Sequence, residues 1–160
     1  ITIIDRGPSE PFYHSVSYRR LWGGYAVGKS GSDRRFIPNL DELTDLLAVR
    51  HKVKRMDLAG LAMPQQIAMM RNARVCVAHH GAALGNIIWM KSGSAVLELI
   101  PPELLSNGRH PILLSLLFEN LAISKGLIYK SIVAPNKEAL DLDIIGREVQ
   151  SLYDKAIANG

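Results

Sequence analysis

Val75-Cys76-Val77-Ala78-His79-His80-Gly81-Ala82-Ala83-Leu84-Gly85-Asn86 is the stretch on which the reading of this chain turns. Val75 to Ala78 is a short apolar run of the kind that forms a buried strand. Two histidines and Gly81 follow, and small residues then open an apolar helix through Leu84, Ile87, Ile88 and Met90. Strand, sharp turn and helix in succession form the repeating unit of a parallel α/β sheet. Small residues at such a turn let a ligand come close to the backbone. The leading N–H groups of the helix and its positive dipole end favour an anion there. The expectation is a phosphate seat made by Gly81, Ala82 and Ala83, with His80 at its rim.

Outward from this stretch, strand-like runs alternate with helix-length amphipathic segments. Upstream, Ile1 to Ile4 reads as the first strand and Val53 to Leu58 as the second. Between them a helix follows Asn39, a good N-cap with Glu42 in capping-box position, and its apolar stripe is Leu40, Leu43, Leu46 and Leu47. Pro64 suits the first turn of another helix running to Asn72. Downstream, Ala95 to Ile100 is a fourth strand stopped by Pro101-Pro102, Ile112 to Leu121 a helix, and Leu127 to Val133 a fifth strand. Asp141 begins a last helix with the stripe Leu142, Ile145, Val149, Leu152 and Ala156. This order predicts an α/β fold: a doubly wound parallel sheet of about five strands with helices on both faces. Residues 7–34 form a long insert after the first strand, rich in Gly, Ser and Arg and carrying Phe12, Tyr13, Tyr18, Trp22 and Tyr25. It leaves the sheet at the carboxyl edge, where open α/β sheets bind ligands. If the strand order is 2-1-3-4-5, strands one and three are neighbours, and Arg6 and His80 share one crevice at the switch point.

The bulk properties narrow the classes. At 160 residues, 48% of them hydrophobic and 21% charged, the chain is one globular domain over 1–160. The formal charge of +4 suits a small diphosphate as well as a polyanion. Basic residues occur at most in pairs (Arg19-Arg20, Arg34-Arg35), so a nucleic-acid footprint is not favoured. A single-stranded nucleic-acid domain using the basic, aromatic insert stays open as an alternative. No apolar stretch approaches the roughly 20 residues of a membrane span, and there is no signal peptide. The chain begins at Ile1 inside a strand, which suggests a piece of a longer protein. Cys76, the single cysteine, reads as an inert core residue and excludes a cysteine-based metal site. The His79-His80 pair lacks a carboxylate at ligand spacing, so no metal and no cofactor are expected. No Gly-x-Gly-x-x-Gly is present.

Several side chains could carry chemistry. His80 can hydrogen-bond a phosphate oxygen, whereas His79 points to the other face by strand alternation and is structural. Arg6, closing the first strand, can clamp a diphosphate with two parallel bonds. Arg34 and Arg35 precede a helix N-terminus, a placement that opposes the dipole unless an anion lies between. Glu98 interrupts the apolar strand Val96-Leu97-Glu98-Leu99-Ile100; it can accept from ribose or sugar hydroxyls, or pair with an arginine. Tyr18 and Trp22 can stack on a base or an acceptor sugar, or pin the insert to the body. Gln66 can reach a nucleotide from its helix, though an exposed glutamine is the plainer reading. Asn86 bonds locally.

From Arg6 to Pro101 the chain resembles glycosyltransferase family 61. The family pattern appears as Arg6; Arg35-Phe36-Ile37-Pro38-Asn39 with Glu42-Leu43; Gln66-Ile67; His80-Gly81-Ala82-Ala83-Leu84-Gly85-Asn86; and Glu98-Leu99-Ile100-Pro101. Order and spacing together are more specific than any one motif. Ala83 stands where the pattern has glycine and Gly85 where it has threonine, so a hydroxyl near the phosphate is missing. The resemblance implies a Rossmann-like domain, the C-terminal half of a two-domain GT-B enzyme. Such an enzyme transfers a sugar from a nucleotide sugar, a UDP-sugar, with inversion and without metal, as in polysaccharide biosynthesis. It implies that the glycan or protein acceptor, and usually the catalytic base, belong to an N-terminal domain absent from this chain. A non-catalytic nucleotide-binding or interaction module is the alternative that the missing hydroxyl supports. Sugar, linkage and compartment stay open: cytoplasm or membrane face for a bacterial member, secretory lumen for a eukaryotic one.

Overall fold

A computed structural model describes residues 1–5, 7, 36–106 and 111–159. Five strands form one sheet: β1 (Thr2–Asp5), β2 (Lys54–Asp57), β3 (Val75–His79), β4 (Ala95–Ile100) and β5 (Ile128–Val133). All neighbours run parallel, in the order β2-β1-β3-β4-β5. The order is 2-1-3-4-5, with β1 and β3 adjacent at the topological switch point. The helices are α1 (Leu40–Ala48), α2 (Met63–Arg71), α3 (Glu103–Ser106), α4 (Pro111–Ser124) and α5 (Leu142–Ala158), with a 3₁₀ helix over Ala82–Trp89.

The central strands are apolar on both faces because both faces are covered. Every residue of β3 and β4 is buried, Glu98 included, while the edge strand β2 is half exposed. On one face Ile3, Val75, Val77, Leu97 and Leu99 pack against Leu40, Leu43 and Leu47 of α1 and Ile145, Val149, Leu152 and Ala156 of α5. On the other, Ile4, Cys76, Ala78 and Val96 meet Met70 of α2, Leu84 and Ile87 of the 3₁₀ helix, and Phe118 and Ala122 of α4. The two sets follow the period-2 alternation of strand side chains.

Several local expectations are corrected. Asn39 precedes α1 but its side chain makes no cap bond. Its amide instead spans the chain: Nδ2 donates to the Leu140 carbonyl at 2.9 Å and Oδ1 accepts from the Leu140 N–H at 2.8 Å. Leu46 is 44% exposed, so the buried stripe of α1 is Leu40, Leu43 and Leu47 only. The segment after Gly81 is a 3₁₀ helix, and the spacing explains it. Leu84, Ile87 and Met90 are buried at intervals of three, matching three residues per turn, while Ile88 turns outward. The short α3 after Pro101-Pro102 was not expected, and α4 runs past Leu121 to Ser124. Asp141 caps α5 as expected, accepting from Ile144 N at 3.0 Å. Among the described residues, no helix is long and apolar enough to cross a membrane.

Candidate functional site

The carboxyl edge of the sheet at β1, β3 and β4 is where the sequence places its candidates. Pairing of β3 with β4 runs in register through His79 and Leu99, and the His80 N–H then donates to the Leu99 carbonyl at 2.8 Å. That bond extends the pairing one residue and fixes the start of the turn. Gly81 follows at φ 156°, ψ 178°. The first intrahelical bond is donated by Leu84 to the Gly81 carbonyl, so the N–H groups of Ala82 and Ala83 precede the helical ladder. Ala82 is exposed and Gly81 and Ala83 half-buried, so this backbone is open to a ligand.

His80 is buried, with 7% of its surface exposed, and lies on the same face as Cys76, Ala78 and Glu98. Its Nδ1 is 2.5 Å from Glu98 Oε1. The other carboxylate oxygen, Oε2, accepts from Tyr129 Oη, also at 2.5 Å. The register explains the reach. Glu98 stands between Ala78 on β3 and Ser131 on β5, both small. His80, two residues beyond Ala78, and Tyr129, two before Ser131, then approach on the diagonals. Phe118 from α4 closes the site with an edge-on ring contact to His80 at 5.4 Å between centroids. Glu98 itself is 0% exposed. A buried carboxylate is costly unless hydrogen-bonded, and here both oxygens have short partners. Burial, and then the bond to Glu98, push the Tyr129 hydroxyl well above its ordinary pKa, so it remains a donor at neutral pH.

This arrangement answers the sequence reading residue by residue. Glu98 does interrupt an apolar strand and is satisfied, but its partners are His80 and Tyr129, and it has no exposed oxygen to offer a ribose or sugar hydroxyl. His79 is buried on the opposite alternation, with Val75 and Val77. Gln66 is no free helix glutamine: its amide donates to the carbonyls of Leu58 and Leu61, both at 2.9 Å, and staples the loop ahead of α2. Asn86 bonds locally, to the Ala83 carbonyl at 3.2 Å. Arg6, Tyr18, Trp22, Arg34 and Arg35 lie outside the described residues. Gly7 is described, and a β-carbon there would collide with the Asp57 carboxylate at the end of β2. Arg55 on β2 pairs with Asp5 at 2.7 Å and with Asp41 of α1. Tyr129 and Phe118 were not anticipated. An aromatic hydroxyl in a strand is a visible signal, but its link to Glu98 depends on the register of β4 with β5, which no local pattern encodes.

Among the described residues there is no group of three or more His, Cys, Asp or Glu that could hold a metal ion. A groove of about 790 Å³ lies elsewhere, between α1 and α5, with Leu46, Val49, Arg50, Arg147 and Lys155 in its lining. It opens on the face away from His80 and shares no residue with the turn. We place the candidate site at the turn, where the buried, hydrogen-bonded His80–Glu98 pair adjoins the exposed Ala82.

Comparison with known proteins adds a family to this geometry. A family model described as Glycosyltransferase 61 matches residues 14–97, more than half of the chain. The matched span takes in Arg35, Gln66 and the turn from His80 to Ala83, and stops one residue before Glu98. No curated protein matches the chain.

Proposed function

The chain belongs to glycosyltransferase family 61, and from that premise we propose that this domain binds a nucleotide sugar, a UDP-sugar, as the donor half of an inverting GT-B transferase that works without metal. The observation that carries the reading is the strand order β2-β1-β3, which sets the His80 turn beside the end of β1 at the switch point. Open α/β sheets hold ligands in that crevice. The leading N–H groups of Ala82 and Ala83 would receive the diphosphate. His80 would add a bond from its ring, and Arg6 and Arg35 would bring charge from the segments on either side of the insert. Fixed donors aimed at the departing diphosphate would lower the barrier to leaving, in place of a metal ion. Tyr18 and Trp22 remain candidates for stacking on the base or an acceptor sugar. The acceptor and the catalytic base are assigned to another domain, so this chain alone should transfer little or no sugar.

The test is a calorimetric titration of the chain with UDP at moderate salt and without metal. An Arg6→Ala/His80→Ala variant runs beside it. Saturable binding is expected in the parent, weakened at least tenfold in the variant, roughly the worth of one charge-assisted bond. Equal binding by both would move the diphosphate away from this crevice. Absence of binding by the folded parent would remove the donor reading for the isolated domain.

A further inference from the structure

The ion pairs among the described residues take up Arg55 and Lys130 and leave a second set of cations without an acid. Arg50 and Lys52 precede β2 and Lys54 opens it; Arg74 precedes β3, Lys91 precedes β4 and Lys125 precedes β5. In a parallel sheet these positions share the amino edge, opposite the candidate site. Hydrogen bonds draw them together. The Lys54 N–H donates to the Ile1 carbonyl at 2.9 Å, the Ala95 N–H to that of Arg74 at 2.9 Å, and the Gly93 N–H to that of Gly126 at 2.8 Å. Arg74 Nη1 donates to the Ala156 carbonyl at 3.3 Å, and a β-carbon at Gly93 would meet the Asn159 carbonyl. The end of α5, with Lys155 in its last turn, therefore closes on the same edge. Asp154 beside Lys155 accepts from Gln150 at 2.8 Å, while Asp5 and Asp57 close β1 and β2 at the other edge.

A cation at a helix end complements the dipole and by itself implies no partner. The apolar residues beside these cations have no such reason to be uncovered. Val49 before Arg50 is 80% exposed, Ile123 before Lys125 63% and Ile157 after Lys155 52%, and Trp89 before Lys91 is exposed as well. Helix ends on both faces of the sheet thus repeat one combination, an uncovered apolar side chain within two residues of an unpaired cation. From this combination we propose that the amino edge docks the domain on an anionic membrane surface, lying on the bilayer without spanning it. Anionic headgroups would meet the cations, and the apolar residues would enter the headgroup boundary, where Trp and aliphatic side chains beside Lys and Arg are favoured. The apolar residues are spread around the edge, whereas a protein partner seeks a contiguous apolar patch. A nucleic acid would use the cations and leave the aliphatic residues idle. The candidate site at the carboxyl edge would face away from the lipid, so this proposal does not rest on the donor reading.

The test is flotation of the chain with vesicles of phosphatidylcholine alone and with about one-third phosphatidylserine, at low and moderate salt. Binding to the mixed vesicles alone is expected, falling as salt rises. Lys91→Glu/Lys125→Glu should weaken it at least tenfold. Lys137→Glu/Arg147→Glu makes the same change in net charge away from this edge and should weaken it far less. Val49→Ser/Ile123→Ser should lower binding severalfold with every charge intact. If the Lys91/Lys125 glutamate pair does not fold, Lys91→Gln/Lys125→Gln carries the test. Equal binding to both vesicles, no flotation of the folded chain, or equal loss in the two charge variants would overturn the proposal. So would serine variants that bind as the parent does, or a labelled oligothymidylate bound in place of the vesicles, since the edge would then be a general polyanion surface. UDP titration reads the donor site separately, so either reading can fail without the other.

Discussion

Asn39 shows how far one side chain can depart from its local role. Asn before a helix is a capping residue by propensity, yet here its amide satisfies both backbone groups of Leu140 across the fold. Both residues are buried, so water cannot replace the bonds. Asn39→Ala would leave a buried N–H and a buried carbonyl without partners. Each such group costs on the order of 1–3 kcal/mol, so urea denaturation should show a loss of a few kcal/mol. A loss below about 0.5 kcal/mol, the range of ordinary surface changes, would show that Leu140 finds other partners. The same limit applies at the site. That Glu98 needs a partner could be read from an acid inside an apolar strand. That the partners are His80 and Tyr129 could not, because their sequence separations of 18 and 31 are bridged only by strand register.

Elements were more legible than contacts. Strands β1 to β5 and their parallel sense follow from apolar runs alternating with amphipathic ones, whereas the order 2-1-3-4-5 is one of the arrangements that such alternation allows. The buried stripe of α5 was readable in full but for Leu142, which is half-buried. Leu46 broke the pattern because it lies against Gly146 of α5 in the lining of the open groove, which leaves it 44% exposed. The 3₁₀ helix was written in the three-residue spacing of Leu84, Ile87 and Met90, but Ile88 fits an α-helical stripe equally well and hides it. This element also carries a departure from the family pattern, Gly85 in place of threonine. A β-carbon at Gly85 would meet nothing within 4 Å, so Gly85→Thr should fold without strain. Glycine is among the poorest helix formers, and the variant should be as stable as the parent or up to about 0.5 kcal/mol more stable. If the turn seats a diphosphate, the restored hydroxyl should also tighten UDP severalfold. A destabilisation above about 1 kcal/mol would mean that the space at Gly85 is filled by something the packing does not reveal.

At the scale of the whole molecule, two protonated groups tie stability to pH. Cys76 lies on β3 in the middle of the sheet, fully buried, and burial pushes its thiol from 9.0 up to about 12. Tyr129 moves upward from 10.0, first because it is buried and then because it donates to Glu98. In both cases the folded state holds a proton that the unfolded chain releases sooner. Between the unfolded and folded pKa values the native state therefore binds more protons, and stability falls as pH rises. The contribution is fully present below about pH 9, and Cys76 loses it progressively up to about pH 12. Tyr129 adds to the loss from about pH 10 upward. Each group contributes a slope of at most about 1.4 kcal/mol per pH unit. Lysines titrate in the same range, so the informative quantity is a difference. Urea denaturation of the parent and of Cys76→Ala should give a gap that favours the parent at pH 8, from the cavity the substitution leaves. That gap should shrink steadily between pH 9 and 11. A gap that stays constant would mean that the thiolate forms without disturbing the sheet, and that burial at the centre of β3 is not what holds the proton on Cys76.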